Sequence, residues 1–162
     1  MTNSESILHL LEKDAKLTPA KLALMLEMEE RDVALKIEEF EKKNIILGYK
    51  AMIDWEKTES EPVSALIEVK VTPQRGQGFD RIAERIWQYP EVSSVYLMSG
   101  GFDLTVIIEG ASMKEVALFV ARKLAPLDSV AGTATHFVLK KYKDKGVVFC
   151  GDDFSEKRVM MP

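Results

Sequence analysis

The chain begins with runs of apolar residues at the spacing of amphipathic helices. In the first run, Thr2 and Glu5 have the spacing of a capping box. An apolar stripe follows them, made of Ile7, Leu8, Leu10 and Leu11. Thr18 and Pro19 predict the start of a second helix, because threonine is a favoured N-cap and proline suits the first helical position.

A third apolar run predicts a further helix and the turn that ends it. Val33, Ile37 and Phe40 recur at spacings of four and three, which places them on one helical face. Asn44 stands where this helix should end, and asparagine tolerates the left-handed backbone of a C-terminal cap. Residues 45–53 (IILGYKAMI) then predict a short hairpin with Gly48 near its turn.

The polar, acidic segment 55–62 (WEKTESEP) ends in proline and predicts a domain boundary. We therefore expect a first domain over residues 1–54, a linker over 55–62, a second domain over 63–145 and a tail over 146–162. No structure is assigned to the tail, because its sequence signals are mixed.

Beyond the linker the pattern changes to β-α-β-β-α-β. Residues 63–71 alternate between apolar and polar, as in a strand with one buried face. A helical pattern over 79–87 and two strands over 92–98 and 102–109 follow, and a second helix ends at Pro126 before a last strand over 132–142. This order predicts an α+β fold with a ferredoxin-like antiparallel sheet and two helices on one face.

Charge and hydropathy restrict the class of protein. The chain has 162 residues and a net charge of −4, and residues 1–54 carry 8 basic against 11 acidic side chains, which disfavours a nucleic-acid partner. No apolar run reaches the roughly 18 residues of a membrane helix. The first 17 residues lack the basic start and apolar core of a secretory signal, so we expect no membrane association and a cytoplasmic location.

Residues that could carry catalysis or hold a metal are scattered along the chain. His9 falls in a helical apolar stripe and His136 in a strand, while Cys150 is the single cysteine. The remaining candidates are the loop glycines Gly76 and Gly78 and the pair Asp152 and Asp153. None has the spacing of a catalytic, metal or phosphate site. We expect no enzyme and no cofactor, and a small βαββαβ enzyme with a helical extension is disfavoured.

Four segments resemble the Lrp/AsnC (feast/famine) family of transcriptional regulators. Residues 99–103 (SGGFD) resemble the family's (T/S)-G-x-(Y/F)-D segment between the second and third strands of its C-terminal RAM domain. The other segments are 33–46 (VALKIEEFEKKNII), 49–54 (YKAMID) and 133–140 (TATHFVLK). The likeness covers about residues 5 to 143. It implies an N-terminal winged helix-turn-helix that binds double-stranded promoter DNA, followed by the RAM domain.

The resemblance implies that the third helix lies in the DNA major groove. Arg31 and Lys36 are then the candidates for base edges, and Lys42, Lys43 and Lys50 for phosphates. The chain departs from the family, because acidic or apolar residues stand where Ser, Thr, Arg or Lys are common: Glu29, Glu30, Asp32, Leu35, Glu38 and Glu39. The alternative is therefore a RAM-type ligand-binding or protein-interaction module whose helix-turn-helix has lost DNA recognition.

The resemblance also implies an amino-acid-like effector near a subunit interface. Backbone amides of the loop Ser99, Gly100 and Gly101 suit a carboxylate, and Asp103 suits an ammonium. Thr133 and Thr135 are weaker candidates. In the alternative interpretation the two glycines form only a hairpin turn that Asp103 caps. The family resemblance implies a homodimer, with an octamer as the further assembly found among relatives.

Overall fold

A computed structural model describes residues 2–60, 62–72 and 78–149 of the chain. The chain divides into two compact units, Met1–Ile53 and Asp54–Pro162. Several candidates from the sequence lie outside the described residues: Gly76, Cys150, Asp152, Asp153 and the tail beyond residue 149. Among the helices that the structure describes, none has the length and apolar character needed to cross a bilayer.

The first unit contains three helices, α1 (Asn3–Lys13), α2 (Pro19–Leu26) and α3 (Glu30–Lys42). The predicted caps are confirmed. The Thr2 and Glu5 side chains form a reciprocal capping box at α1, and the Thr18 hydroxyl accepts the backbone N–H of Lys21 at 3.3 Å at α2. These caps satisfy N–H groups that have no partner within the first helical turn.

The apolar stripes of the three helices meet in one small core. Its buried members are Ile7, Leu11, Leu22, Ala23, Val33 and Phe40. Burying an aliphatic or aromatic side chain of this size contributes about 1.5–3 kcal/mol, so tertiary packing rather than helix propensity holds these short helices. Left-handed residues end two of them: Glu27 (φ 53°) after α2 and, as predicted, Asn44 (φ 54°) after α3.

The hairpin predicted over residues 45–53 is not formed. This segment contains no strand, and it leaves α3 with Ile46 packed against the helical core. The Tyr49 hydroxyl donates to Glu41 Oε1 at 2.9 Å, which ties the segment to α3. Leu47 and Ile53, two apolar residues of this segment, remain exposed in the structure.

The second unit has the predicted βαββαβ order, with β1 (Val63–Val71), α4 (Asp80–Trp87), β2 (Val92–Leu97), β3 (Leu104–Gly110), α5 (Met113–Phe119) and β4 (Val130–Phe137). A π-helical turn, Val120–Leu124, continues α5. The strands form an antiparallel sheet in the order β2-β3-β1-β4. This topology confirms the ferredoxin-like fold.

The alternation along β1 correctly identified the buried face of the sheet. Ala65, Ile67 and Val69 have no solvent exposure and lie opposite Ile108, Val106 and Leu104 of β3. The described part of α4 and α5 supplies further core residues, among them Ile82, Ile86, Val116 and Phe119. Both helices therefore cover the same face of the sheet, and the other face carries the intervening residues of each strand.

The last predicted strand, 132–142, is wrong at both ends. Strand β4 begins at Val130 and ends at Phe137. A small hairpin of β5 (Lys143–Asp144) and β6 (Val147–Val148) follows it. Lys145 (φ 44°) and Gly146 (φ 86°) form its left-handed turn, which the sequence interpretation did not recognise.

Candidate functional site

The third helix carries an excess of acidic side chains on the surface that the sequence predicted to face DNA. Its sequence, ERDVALKIEEFEK, contains five acidic and three basic residues. Acidic groups in the first turn, Glu30 and Asp32, suit the positive end of the helix dipole. They also place negative charge where a phosphate backbone would approach.

Three of the predicted DNA contacts are paired with carboxylates of the same helix. Lys36 Nζ lies 2.8 Å from Glu39 Oε2, and Lys43 Nζ lies 2.7 Å from Glu39 Oε1. Lys42 Nζ lies 2.6 Å from Glu38 Oε1. These pairs follow the three- and four-residue spacing at which helical side chains meet. The ammonium groups of these three lysines are therefore engaged by carboxylates.

The lysines hold both carboxylates in their ionised form. The pKa of Glu39 is lowered from 4.5 to about 2, chiefly by the hydrogen bond from Lys36 and then by that from Lys43. The hydrogen bond from Lys42 lowers the pKa of Glu38. Because these pairs are at least partly exposed to solvent, each one contributes little to stability.

Arg31 and Lys50 differ from the other three candidates. Both side chains are exposed, and neither has an ion-pair partner among residues 2–60, 62–72 and 78–149. Both helices also expose large apolar side chains: Leu24 of α2 is 83% exposed, Met25 of α2 55% and Leu35 of α3 53%.

The loop between β2 and β3 is open to solvent and adopts a backbone that requires glycine. Ser99, Gly100 and Gly101 are all exposed, and Gly100 has φ +149°. A side chain on Gly101 would meet no atom within 4 Å. The backbone N–H of Met98 donates to the Asp103 carbonyl at 2.8 Å and closes the loop. This loop can therefore admit a ligand close to its main chain.

Asp103 anchors that loop to β1. Its carboxylate Oδ2 accepts the backbone N–H of Val71 at 2.7 Å, and its own N–H donates to the Val69 carbonyl at 3.1 Å. The other carboxylate oxygen, Oδ1, accepts no hydrogen bond from the described residues. Asp103 thus combines a structural tie with one oxygen that remains available to a ligand.

Thr133 and Thr135 lie on β4, at different distances from the loop. Thr133 is opposite Val69, and the Val69 carbonyl accepts the N–H of Asp103, the residue just before β3. Two strand spacings separate Thr133 from Asp103, about 9–10 Å. Thr135 is opposite Ile67, one pleat further from the loop. Both threonines share the helix-covered face with Val69 and Ile67 and are half-buried.

The two histidines have carboxylate neighbours. His136 Nε2 lies 3.2 Å from Glu68 Oε1 across the sheet, which the sequence did not reveal. His9 is exposed beside Glu12 rather than part of the apolar stripe, because its position on α1 faces away from the core. Within the described ranges, no three side chains of His, Cys, Asp or Glu are grouped as a metal site would require.

A cavity in the second unit was also missed by the sequence interpretation. It has a volume of about 290 Å³ and lies beside α5, at the ends of the strands opposite the Ser99–Gly101 loop. Glu91 and Lys123 form an ion pair in its wall, although 32 residues separate them. Neither helical nor strand periodicity in the sequence could predict a pair so far apart.

The spacing of Ser112 and Glu115, by contrast, is an N-cap signal that could have located the start of α5.

Comparisons with known proteins agree with this architecture. The model of the Lrp/AsnC ligand-binding domain matches residues 64–148. An uncharacterized HTH-type transcriptional regulator of Bacillus subtilis, YugG, is 49% identical over 99% of this chain and 98% of its own length.

Two solved structures have the same fold. A transcriptional regulator of Neisseria meningitidis in complex with L-Met has a TM-score of 0.72 at 22% identity, covering 89% of this chain and 92% of its own. The leucine response regulatory protein of Mycobacterium tuberculosis has a TM-score of 0.74 at 20% identity, covering 90% of this chain and 96% of its own.

Proposed function

The chain belongs to the Lrp/AsnC family of transcriptional regulators, and from this premise we propose that it regulates transcription in response to an amino acid or a closely related metabolite. The three-helix unit binds promoter DNA, and the βαββαβ unit binds the effector and joins subunits. We assign the domains to residues 1–54 and 63–145, joined by 55–62 and followed by residues 146–162, of which Val147 and Val148 still pair with Lys143 and Asp144. Its place of action is the cytoplasm, where promoter DNA lies.

The observation that carries the effector proposal is the geometry of the β2–β3 loop. Exposed glycine amides at Gly100 and Gly101 approach a ligand without a side chain between them, which suits a carboxylate. Asp103 Oδ1 has no donor among the described residues and lies at the base of the same loop, where it suits an ammonium. Ser99 and Thr133 lie at the same end of the sheet and complete the polar surroundings. Thr135 is one pleat further away and stays a secondary candidate.

The structure of the related Neisseria regulator supports the choice of amino acids as the first probes, since that protein was solved with L-Met. The test is a thermal-shift screen of the twenty amino acids against the full-length protein. A free ligand concentration of a hundred times the dissociation constant raises the free energy of unfolding by about 2.7 kcal/mol. The variant Asp103→Asn is the informative control, because its amide oxygen still accepts the Val71 N–H while its charge is gone.

We expect at least one amino acid to raise the melting temperature of the wild type and to have a smaller effect on Asp103→Asn. If no amino acid raises it, or if the responders shift both proteins equally, the loop is only a hairpin turn.

For the three-helix unit we propose that α3 lies in the major groove. Arg31 and Lys36 then approach base edges, and Lys42, Lys43 and Lys50 approach phosphates. Lys36, Lys42 and Lys43 must exchange their glutamate partners for DNA, which makes the affinity modest. In a gel-shift assay at low salt with the protein's own promoter region, Arg31→Ala/Lys36→Ala should weaken binding by about 1–3 kcal/mol for each of the two side chains that meets DNA.

A second function is favoured by the exposed apolar side chains on α2 and α3. Leu24, Met25 and Leu35 are exposed and α3 carries five acidic residues, a combination better suited to a protein partner than to phosphate. In this interpretation the chain is a RAM-type ligand-binding or protein-interaction module. The gel-shift assay separates the two functions, because such a module shows no preference for the promoter over random DNA at any salt concentration.

We propose a homodimer formed through the uncovered faces of the two sheets, with four dimers forming an octamer. Leu66 and Ile107 are paired across β1 and β3, on the face opposite the helices, and a second subunit would bury them. Nearby, Tyr96 of β2 is 51% exposed. Sedimentation analysis at micromolar concentration should give a dimer or a larger assembly. A main species of 18.3 kDa, the mass of one chain, would contradict the proposal.

A further inference from the structure

The small hairpin that follows the large sheet carries a dense group of positive charges. Four of the six residues from Lys140 to Lys145 are lysines, and Asp144 is the single acidic residue over positions 140–149. We call residues 140–149 the lysine hairpin. Because the whole chain has a net charge of −4, the lysine hairpin is a local positive surface on an acidic protein.

The backbone of the lysine hairpin has a defined shape. Strand β5 pairs with β6, and beyond this ladder the Phe149 N–H donates to the Tyr142 carbonyl at 2.9 Å. Lys145 and Gly146 form the left-handed turn at the tip. Since the tip carries a lysine rather than a large apolar side chain, it suits an anionic surface better than the interior of a bilayer.

Aromatic rings hold the first two lysines near the hairpin. Lys140 Nζ lies 5.4 Å from the ring centre of Tyr142, and Lys141 Nζ lies 5.3 Å from that of Phe149. Lys141 Nζ also lies 3.6 Å from Asp144 Oδ2. A ring attracts an ammonium without neutralising it, so Lys140 keeps its charge at the surface while Lys141 shares its charge with Asp144.

The other two lysines extend from the hairpin into solvent. Lys143 of β5 and Lys145 of the turn are both exposed. In the part of the chain that the structure describes, neither of them forms an ion pair. These two ammonium groups can therefore meet an external anion without first leaving a carboxylate of those residues.

The hairpin segment leaves the large sheet at the end where the linker enters it. Phe137 at the end of β4 lies opposite Ala65, and the Val138 N–H donates to the Ser64 carbonyl at 2.9 Å. Val63, which follows the linker, is the first residue of β1. The chain that joins the sheet to the three-helix unit therefore begins at the same end of the sheet.

The three-helix unit supplies few free cations for a phosphate backbone. Helix α3 carries five acidic and three basic residues, and its carboxylates engage Lys36, Lys42 and Lys43. A DNA duplex, by contrast, presents one negative charge per about 1.7 Å of its length. A positive surface elsewhere on the protein would add contacts to phosphate that α3 is poorly equipped to make.

We propose that the lysine hairpin is a second DNA-binding element, which contacts the phosphate backbone of the duplex that the three-helix unit binds. This inference rests on the DNA-binding function proposed above. Lys143 and Lys145 bind phosphates directly, and Lys140 adds positive charge beside them. Contacts with phosphate carry no sequence information, so the hairpin raises the affinity for any duplex without changing the preference for the promoter.

The test measures DNA binding of the full-length protein by fluorescence anisotropy over a range of salt concentrations. One duplex carries the protein's own promoter region, and the other has a random sequence of the same length. Lys143→Gln/Lys145→Gln should weaken binding to both duplexes by the same factor, about fivefold or more at low salt. The slope of log affinity against log salt concentration should decrease by about 1 for each lysine that binds a phosphate.

Two control variants separate a local contact from other effects. Lys114→Gln/Arg122→Gln removes two exposed cations from α5 and the turn that continues it, which is the same change of net charge. It should leave the affinity and the salt slope almost unchanged. Lys143→Arg/Lys145→Arg keeps both charges and should bind as the wild type does, which excludes a general effect of substitution in the hairpin.

The proposal is overturned if Lys143→Gln/Lys145→Gln binds both duplexes as tightly as the wild type. It is also overturned if Lys114→Gln/Arg122→Gln loses as much affinity, since only net charge would then matter. A loss confined to the promoter duplex contradicts it as well, because a contact with phosphate does not select a sequence.

Failure of the hairpin is distinguishable from failure of α3. Loss of a base contact in Arg31→Ala/Lys36→Ala changes the ratio between the affinities for the two duplexes, whereas loss of a phosphate contact does not. If the wild type binds neither duplex at low salt, both proposals fall. Vesicles of phosphatidylserine and phosphatidylcholine test the competing partner. Binding to these vesicles that depends on Lys143 and Lys145, with DNA binding unaffected, would assign the lysine hairpin to a membrane surface instead.

Discussion

Asp103 Oδ2 accepts the backbone N–H of Val71 at 2.7 Å and so joins the start of β3 to the end of β1. The ladder between β1 and β3 ends at the pair Val69 and Leu104, so the Val71 N–H lies beyond it. The carboxylate supplies the acceptor that this N–H would otherwise lack. The aspartate of the SGGFD segment therefore has a structural role, whichever ligand the loop binds.

Removing this carboxylate should destabilise the βαββαβ unit. We expect Asp103→Ala to lower the free energy of unfolding by about 1–3 kcal/mol, because a half-buried N–H loses its acceptor. Urea denaturation measures the change. Asp103→Asn should lower the free energy of unfolding by less, since its amide oxygen can still accept the Val71 N–H. Equal stability of Asp103→Ala and wild type would show that solvent replaces the carboxylate at no cost.

Releasing the lysines of α3 should strengthen DNA binding. Glu39→Gln removes the carboxylate that engages Lys36 and Lys43, so both ammonium groups become available to phosphate. We expect affinity for promoter DNA about three- to tenfold tighter at low salt, and a steeper fall in affinity as salt is added. Glu84→Gln makes the same change of net charge on α4 and is the control. An equal gain from both variants would show that only the overall charge matters.

Acid should break the lysine pairs of Glu39 within a defined pH window. The pKa of Glu39 in the folded protein is about 2, below the ordinary 4.5. The ion pairs therefore contribute their full stabilisation to the folded state above pH 4.5, and this stabilisation is lost as the pH falls towards 2. The carboxyl carbon shift of Glu39, followed by NMR during an acid titration, should report this low pKa. In Lys36→Met/Lys43→Met it should return towards 4.5. A value near 4.5 in the wild type would mean that the pairs do not persist in solution.

The start of α2 should depend on the Thr18 hydroxyl. That oxygen accepts the Lys21 N–H at 3.3 Å, and the helix behind it has only 8 residues. Thr18→Ala should lower the stability of the three-helix unit by about 0.5–2 kcal/mol, whereas Thr18→Ser keeps the acceptor and should lose little. Thermal unfolding followed by circular dichroism distinguishes the two variants. If alanine and serine behave alike, the hydroxyl does not cap the helix.

Local sequence determined the five helices and the order of the four strands of the large sheet. Thr18 and Pro19 marked the start of α2, Asn44 marked the left-handed turn after α3, and the alternation from Ala65 to Val69 marked the buried face of β1. These signals work because a cap, a turn residue and a two-residue period act on neighbouring positions of the chain. The order of the elements then allowed few topologies, and the ferredoxin-like sheet was among them.

Only the tertiary structure decided the chemistry of the surfaces. It made Asp103 the acceptor of the Val71 N–H and brought Glu91 to Lys123 across 32 residues. Residues 45–53 do not form the predicted hairpin, and Ile46 of this segment packs against the core of the three helices instead. Hydrogen bonds and ion pairs depend on distances of a few ångströms between side chains, and residues far apart in sequence reach those distances only once the elements have packed.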